Sequence, residues 1–232
     1  MILGIIAAEE KEMLAIKNIM KNVKEEKVYD LTFVQGIISN KKCVLVECGV
    51  GKVNSARTAQ IMIDKYGVNY IINVGVAGGT TDELNIKDIV IGEKLVQHDF
   101  DVTSAGDYEK GEIARTGKFF ESDSRLVKLC EEVIDEITNK DFYTKVGIIA
   151  SGDYFCAIPE KAIKIREEFN ADCIEMEGAA IGQVCFLDEV PFLVIRGISD
   201  TPNGNNEVAF HAYLEIVSKQ VSEILERLIE KI

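Results

Sequence analysis

The run Pro191-Phe192-Leu193-Val194-Ile195-Arg196-Gly197-Ile198-Ser199-Asp200 constrains this chain more than any other stretch. It is apolar, of strand length, and it closes on charge. A continuous apolar run fits a strand covered on both faces rather than one face open to water. Charged side chains at the end of such a strand are costly unless they are paired or used. An Arg196–carboxylate ion pair and a binding site are both open readings here, because ligands of open α/β sheets sit at strand ends. Just upstream, Cys173-Ile174-Glu175-Met176-Glu177-Gly178 sets two glutamates around Met176 where an extended segment meets a helix.

The rest of the chain alternates in the same style. Residues 2–7 and 69–76 are further buried-strand runs, and 86–97 and 143–150 are strand candidates. Residues 28–38 and 42–48 read as a strand pair around the polar turn Ser39-Asn40-Lys41. Helical spacing appears over 9–21 (Met13, Ile16, Ile19, Met20), 53–66, 124–138, after Pro159, and over 207–231, with Ile216, Val217, Val221, Leu225, Leu228 and Ile229 expected to face inward. Strands alternating with helices predict an α/β fold: a three-layer α/β/α sandwich around a mixed twisted sheet. No Pro/Gly/Ser-rich linker divides the chain, so residues 1–232 are expected to form a single domain. The polar stretch 99–123 is the least regular and is a candidate mobile or interface loop.

Charge narrows the function. With 39 acidic against 26 basic residues the net charge is −13. Such a surface repels a phosphate backbone, which excludes nucleic acid as a partner but leaves room for a small nucleoside. The longest apolar runs are too short for a membrane span. The start, Met1-Ile2-Leu3-Gly4-Ile5-Ile6, reads as a first strand and not a signal peptide. Six cysteines without a C-x-x-C pair fit free thiols in a reducing cytoplasm. Only two histidines are available as imidazole ligands, which argues against a zinc site.

Three motifs mislead. Gly49-Val50-Gly51-Lys52 has the wrong spacing for a triphosphate loop, and Val53 stands where magnesium needs Ser or Thr. Gly75-Val76-Ala77-Gly78-Gly79 lacks the order of a dinucleotide fingerprint, though its glycines permit close approach to a ligand. His98-Asp99-Phe100-Asp101 is better read as a hydrogen-bonded corner than as a metal site.

Taken in order, Glu12, Gly49-Val50-Gly51-Lys52-Val53-Asn54, Asn73 to Gly79, His98-Asp99-x-Asp101-Val102-Thr103, Ser151-Gly152-Asp153, Glu175-Met176-Glu177 and Arg196 to Asp200 form a specific set. The set resembles the nucleoside phosphorylase/nucleosidase superfamily, and within it the bacterial 5′-methylthioadenosine/S-adenosylhomocysteine nucleosidases. The resemblance covers essentially the whole chain. It implies hydrolysis of the bond between adenine N9 and ribose C1′, usually by a homodimer, with no cofactor and no metal. It implies that Glu12 activates water and that Asp200 protonates the purine at N7. Glu177 would bind the ribose hydroxyls, with Met176 packed on the sugar, Phe155 stacked on adenine and Cys156 reading the base edge through its backbone. Val50 and Phe210 would line the 5′-alkylthio pocket, and Val102 would reach into the partner's site. The same likeness places Val76, Ala77, Gly78, Glu175, Arg196 and Ser199 in the substrate-binding set.

That chemistry needs two carboxyl groups in unlike states. Asp200, ending an apolar strand, should have a raised pKa, while Glu12 should stay ionised. Two departures from the family stand out. Val76 replaces a frequent serine, and valine cannot donate to phosphate, which favours water as the nucleophile. Ala105 replaces an aromatic, so the 5′ pocket is expected to be wider or more polar than is usual in the family. The alternatives at this stage are a purine nucleoside phosphorylase, an aminofutalosine-type hydrolase and a non-catalytic nucleoside-binding protein.

Overall fold

The first strand, β1 (Ile2–Ala7), forms from six residues that all but avoid polarity, and it is buried beyond its first position. A computed structural model describes residues 1–81, 83–201 and 206–232. β1 lies between β4 (Lys41–Glu47) and β5 (Tyr70–Gly79), parallel to both. On the far side of β5 runs β10 (Phe192–Asp200), also parallel and buried along its whole length, with Val194 beside Asn73 and Arg196 beside Gly75. The C-terminal ends of these parallel strands therefore share one edge.

The sheet then curls. β6 (Ile89–Gln97) pairs antiparallel with β10 and parallel with β8 (Thr144–Ser151). β8 pairs with β9 (Cys173–Glu175), and β9 returns to the end of β5 through Gly78 and Gly79. β5, β10, β6, β8 and β9 thus close on themselves. From β5 the sheet continues through β1 and β4 to β3 (Leu31–Ile38) and β2 (Lys21–Val28), and β7 (Phe120–Glu121) pairs with β6.

Period-two alternation distributes side chains to two layers. Leu3, Ile5, Leu193 and Ile195 pack on the side of α1 (Glu10–Lys17), α3 (Ser124–Asp135) and α6 (Asn206–Lys231). Ile6, Ile71 and Val194 pack on the side of α2 (Lys52–Tyr66) and α5 (Gly178–Leu187). α4 (Pro159–Phe169) covers a third cluster with Ala162, Ile165 and Phe169. This is the α/β/α sandwich with a mixed twisted sheet. No helix among the described residues is long and apolar enough to cross a membrane.

Three sequence expectations need correction. The first helix stops at Lys17, and Lys21–Val28 is a strand. Its sequence, Lys-Asn-Val-Lys-Glu-Glu-Lys-Val, lacks apolar alternation because it is a solvated edge, where charge discourages pairing with another chain. Ile216 does not face inward; it is 51% exposed, one step off the stripe of Leu214, Val217, Val221 and Leu225. The 99–123 segment is tied down at Gly111, whose N–H donates to the Phe100 carbonyl oxygen at 2.8 Å, and by Lys110 and Lys118 over the Phe169 ring.

Candidate active site

The shared C-terminal edge of β1, β5 and β10 opens into a pocket of about 410 Å³. Its floor is acidic. Glu12 reaches it from the first turn of α1, Glu175 and Glu177 from the end of β9, and Asp200 from the end of β10.

Glu12 is buried and accepts three backbone N–H groups: Val76 at 3.0 Å on one oxygen, Ala8 at 2.9 Å and Glu9 at 3.1 Å on the other. Burial pushes its pKa up against the pull of Arg196 and those N–H groups. The three donors fit the ionised form, while desolvation makes that form a stronger base. Asp200 accepts Ser199 Oγ at 2.8 Å, and burial raises its pKa with only that hydrogen bond opposing. This is the direction the sequence predicts.

Both carboxylates lie over glycines of β5. A Cβ on Gly75 would meet Glu12 Oε1 at 2.7 Å, and one on Gly78 would meet Asp200 Oδ2 at 2.9 Å. Two strand residues, Val76 and Ala77, lie between these positions, a rise of about 10 Å along the strand. That span accommodates a sugar with a water on one side and a base on the other.

Glu177 lies between two supports. Its Oε1 accepts Gly51 N–H at 2.9 Å, and its Oε2 stands 4.0 Å from Arg196 Nη2. Gly51 has φ 102°, a conformation that favours glycine, and it turns its N–H toward the pocket. Burial and the neighbouring Glu175 raise the Glu177 pKa, against Arg196 and Gly51.

Arg196 does not line the pocket. It is 1% exposed and sits beneath the carboxylates. Its Nη2 donates to Glu175 and to Asn73 Oδ1, the latter at 2.5 Å. Asn73 in turn donates to the Ile6 carbonyl oxygen at 2.9 Å. Burial works against the Arg196 charge, but Glu175, Glu177 and Glu12 hold its pKa above the ordinary value. Direct substrate contact by Arg196 is therefore replaced by support from below: Glu175 takes the close ion pair, so Glu177 keeps an oxygen toward the pocket. Glu175 also receives Ser151 Oγ and the Gly178 N–H, the latter at 2.8 Å. Ser151 belongs to one of the family motifs but had no role assigned to it, and its position opposite Glu175 in the β8–β9 register is what places it here. Replacing Arg196 with leucine strands Glu175 without its cation. The expected cost is about 3–5 kcal/mol, a fall in Tm of roughly 10 °C for a chain of this size, readable by thermal unfolding.

Val50, Val76, Ala77, Gly78, Phe155, Cys156, Met176, Ser199 and Phe210 all line the pocket. Phe155 is 47% exposed and meets Phe210 edge-on at 5.5 Å. Burial pushes the Cys156 thiol pKa up. Val102 lies outside its own chain's pocket, beside the turn Thr103–Ala105 that carries Ala105. In the His98 corner, Asp99 pairs with Lys52 at 2.6 Å and accepts Asp153 N–H at 2.8 Å, and the His98 backbone N–H donates to the Ser151 carbonyl oxygen, whereas the buried His98 Nε2 has no hydrogen-bond partner among the described residues. Among the further lining residues, Glu9, Tyr154 and His211 carry polar side chains to which the sequence reading assigned no site role. Their signals were nearness in sequence to Glu12, Phe155 and Phe210.

The family model for the phosphorylase superfamily matches residues 2–230. The chain is 36% identical over 231 residues to a 5′-methylthioadenosine/S-adenosylhomocysteine nucleosidase of Staphylococcus aureus (strain bovine RF122 / ET3-1), covering 99% of this chain and 100% of that one. Among solved structures, the corresponding nucleosidase of Neisseria meningitidis in complex with methylthio-immucillin-A superposes with TM-score 0.95 at 30% identity, covering 100% and 99% of the two chains. The futalosine hydrolase of Helicobacter pylori strain 26695 superposes with TM-score 0.94 at 31% identity, covering 100% and 98%. The chain belongs to the phosphorylase superfamily, and within it to the family of 5′-methylthioadenosine/S-adenosylhomocysteine nucleosidases.

Proposed function

We propose that this protein hydrolyses the N-glycosidic bond of 5′-thio-substituted adenosines, releasing adenine and the 5′-substituted ribose. The observation that carries this reading is a single pocket into which Glu12, Glu177 and Asp200 all open, with no lysine or arginine among its described lining residues. Adenine enters against Phe155, with Cys156 at its edge, and the ribose hydroxyls donate to Glu177. Asp200, protonated, gives its proton to N7 as the C1′–N9 bond breaks and the electron pair moves to the base. Positive charge develops on the sugar beside the Glu177 carboxylate, which stabilises it. Glu12 takes a proton from water as the water oxygen bonds to C1′. Roles as binding groups for Val50, Val76, Ala77, Gly78, Glu175, Met176, Ser199 and Phe210 belong to the same proposal, with Arg196 as a positioning residue.

Water rather than phosphate is the nucleophile. A phosphate dianion needs cations or donors; Val76 supplies no side-chain donor, and Arg196 is committed to Glu175 and Asn73. Adenine release from methylthioadenosine in phosphate-free buffer is expected at the same rate as in phosphate. Release that requires phosphate and yields ribose 1-phosphate would instead assign a phosphorylase.

The futalosine hydrolase likeness favours one second reading, an aminofutalosine-type hydrolase using the same carboxylates on a different 5′ substituent. The proposal extends to a homodimer in which Val102 completes the partner's pocket, and to one catalytic domain spanning 1–232. Six free cysteines, five of them buried, support a reducing cytoplasm. The cellular role that follows is methionine salvage and removal of adenosylhomocysteine.

A further inference from the structure

Lys52, Asp99 and Asp153 come from three separate motifs of the sequence and have no part in the chemistry above. None of them lines the pocket. Lys52 opens α2, Asp99 follows β6 and Asp153 follows β8, yet the three meet. Lys52 Nζ donates to Asp99 Oδ1 at 2.6 Å. The Asp153 N–H donates to Asp99 Oδ2 at 2.8 Å, and the Lys52 N–H donates to Asp153 Oδ1 at 2.8 Å. Each residue is thus bonded to the other two, and the ring closes. Lys52 Nζ also donates to Gln97 Oε1, at the end of β6, at 3.2 Å.

Each side of this ring carries a piece of the pocket. On one side is Gly51, whose N–H holds Glu177 at 2.9 Å. Gly51 is the N-cap of α2 and has no side chain with which to satisfy the first turn. Asp153 does so from a distant loop. Its carboxylate lies close over the glycine: a Cβ on Gly51 would stand 3.2 Å from Asp153 Oδ1. On the other side, Asp153 leads through Tyr154 to Phe155 and Cys156, which line the pocket. The root of that loop is held by the Gly152 N–H, which donates to the Glu175 carbonyl oxygen at 3.0 Å. The ring therefore joins the loop that aims Glu177 to the loop that receives the base.

Burial opposes the Asp99 charge, but Lys52 and the Asp153 N–H hold its carboxyl below the ordinary carboxylate value. The Lys52 and Asp99 side chains are 16% and 23% exposed, so solvent screens the pair and it adds little to stability. Its larger effect is on geometry, since a misplacement of about 1 Å in a binding group can cost about 10²-fold in rate. We propose that Lys52, Asp99 and Asp153 are positioning residues of this site, which hold the ribose carboxylate Glu177 and the base-stacking Phe155 in one register. The inference rests on the nucleosidase reading and adds to it three residues that touch no substrate.

The test measures kcat/KM for methylthioadenosine and for its 2′-deoxy analogue, which lacks one hydroxyl that donates to Glu177. Lys52→Met removes the cation, and Asp99→Asn leaves one oxygen where two donors need acceptors. Each variant is expected to lose about ten- to hundredfold on methylthioadenosine. Each is expected to lose at least threefold less on the 2′-deoxy analogue, because a misdirected Glu177 forfeits only what the hydroxyl contributed. The double variant should fall within about threefold of the worse single one, as expected for residues of one network. Tm should drop by no more than about 4 °C in either single variant. A loss under threefold on methylthioadenosine, or losses equal within threefold on the two substrates, overturns the inference in either variant and leaves the nucleosidase reading standing. A variant that does not fold assigns the ring to stability and overturns the inference as well. No adenine from either substrate with the unaltered protein overturns the nucleosidase reading itself.

Discussion

Asp200→Asn is expected to lower kcat for adenine release from methylthioadenosine by about 10²–10⁴-fold, the usual worth of positioned proton transfer. Asparagine keeps the shape and an oxygen for Ser199 Oγ, so the fold should survive. What it loses is an acidic proton for N7. A substrate whose leaving group needs no proton separates that role from simple disruption. A 5-methylthioriboside of 4-nitrophenol should be cleaved by the variant within about tenfold of the unaltered protein, because the loss lies only in the proton-transfer step. Equal losses on both substrates would reassign Asp200 to binding or structure.

The same residue sets a pH prediction. Burial raises the folded-state pKa of Asp200 above its ordinary carboxylate value. Its protonated form is the better tolerated one, so its stabilising contribution is full below the ordinary pKa. That contribution is lost as pH rises through the raised pKa. Above that window the unaltered protein carries a buried charge that Asp200→Asn lacks. The Tm of the variant should therefore exceed that of the parent above the raised pKa and converge with it below. The alkaline limb of the rate profile should also flatten in the variant.

Glu12→Gln is expected to retain nucleoside binding while losing about 10²–10⁴-fold in kcat, because a carboxamide cannot take a proton from water. This variant is less innocent than Asp200→Asn. The Glu12 carboxylate receives N–H groups on both oxygens, and a carboxamide turns an NH2 toward one set of them. Mispaired donors cost about 1–3 kcal/mol, so a modest fall in Tm accompanies the kinetic loss. Equilibrium binding of a substrate analogue distinguishes the effects: Kd should stay within about threefold, since an interaction made only in the transition state moves kcat and leaves binding alone. If Kd and kcat worsened together, Glu12 would be a structural residue at the start of α1.

Much of this was legible in the chain. β1, β5 and β10 announce themselves as apolar runs, and the charge at the end of β10 marks the edge where the pocket opens. β2 was not legible because an exposed edge strand needs no apolar face. The closure of β5, β10, β6, β8 and β9 was not legible either, since β9 is only three residues long and its partners are distant in sequence. At the site, both readings of Arg196 met: the arginine is paired, and its pairing with Glu175 is what leaves Glu177 available. Glu12 entered through the order of motifs alone, whereas Asp200 also carried a local signal as the charge that ends an apolar strand. Glu9 stayed hidden because an acidic residue at a helix N-terminus has an ordinary reason to be there.

The most direct measurement is a crystal structure of the protein with an unhydrolysable 5′-methylthio nucleoside. An Asp200 carboxyl oxygen within roughly 3 Å of purine N7 is expected, with a water held by Glu12 on the opposite face of C1′ at hydrogen-bond distance. A purine whose N7 lies out of reach of Asp200, or a sugar turned so that Glu12 and Asp200 flank the same face, would contradict the division of acid and base between them.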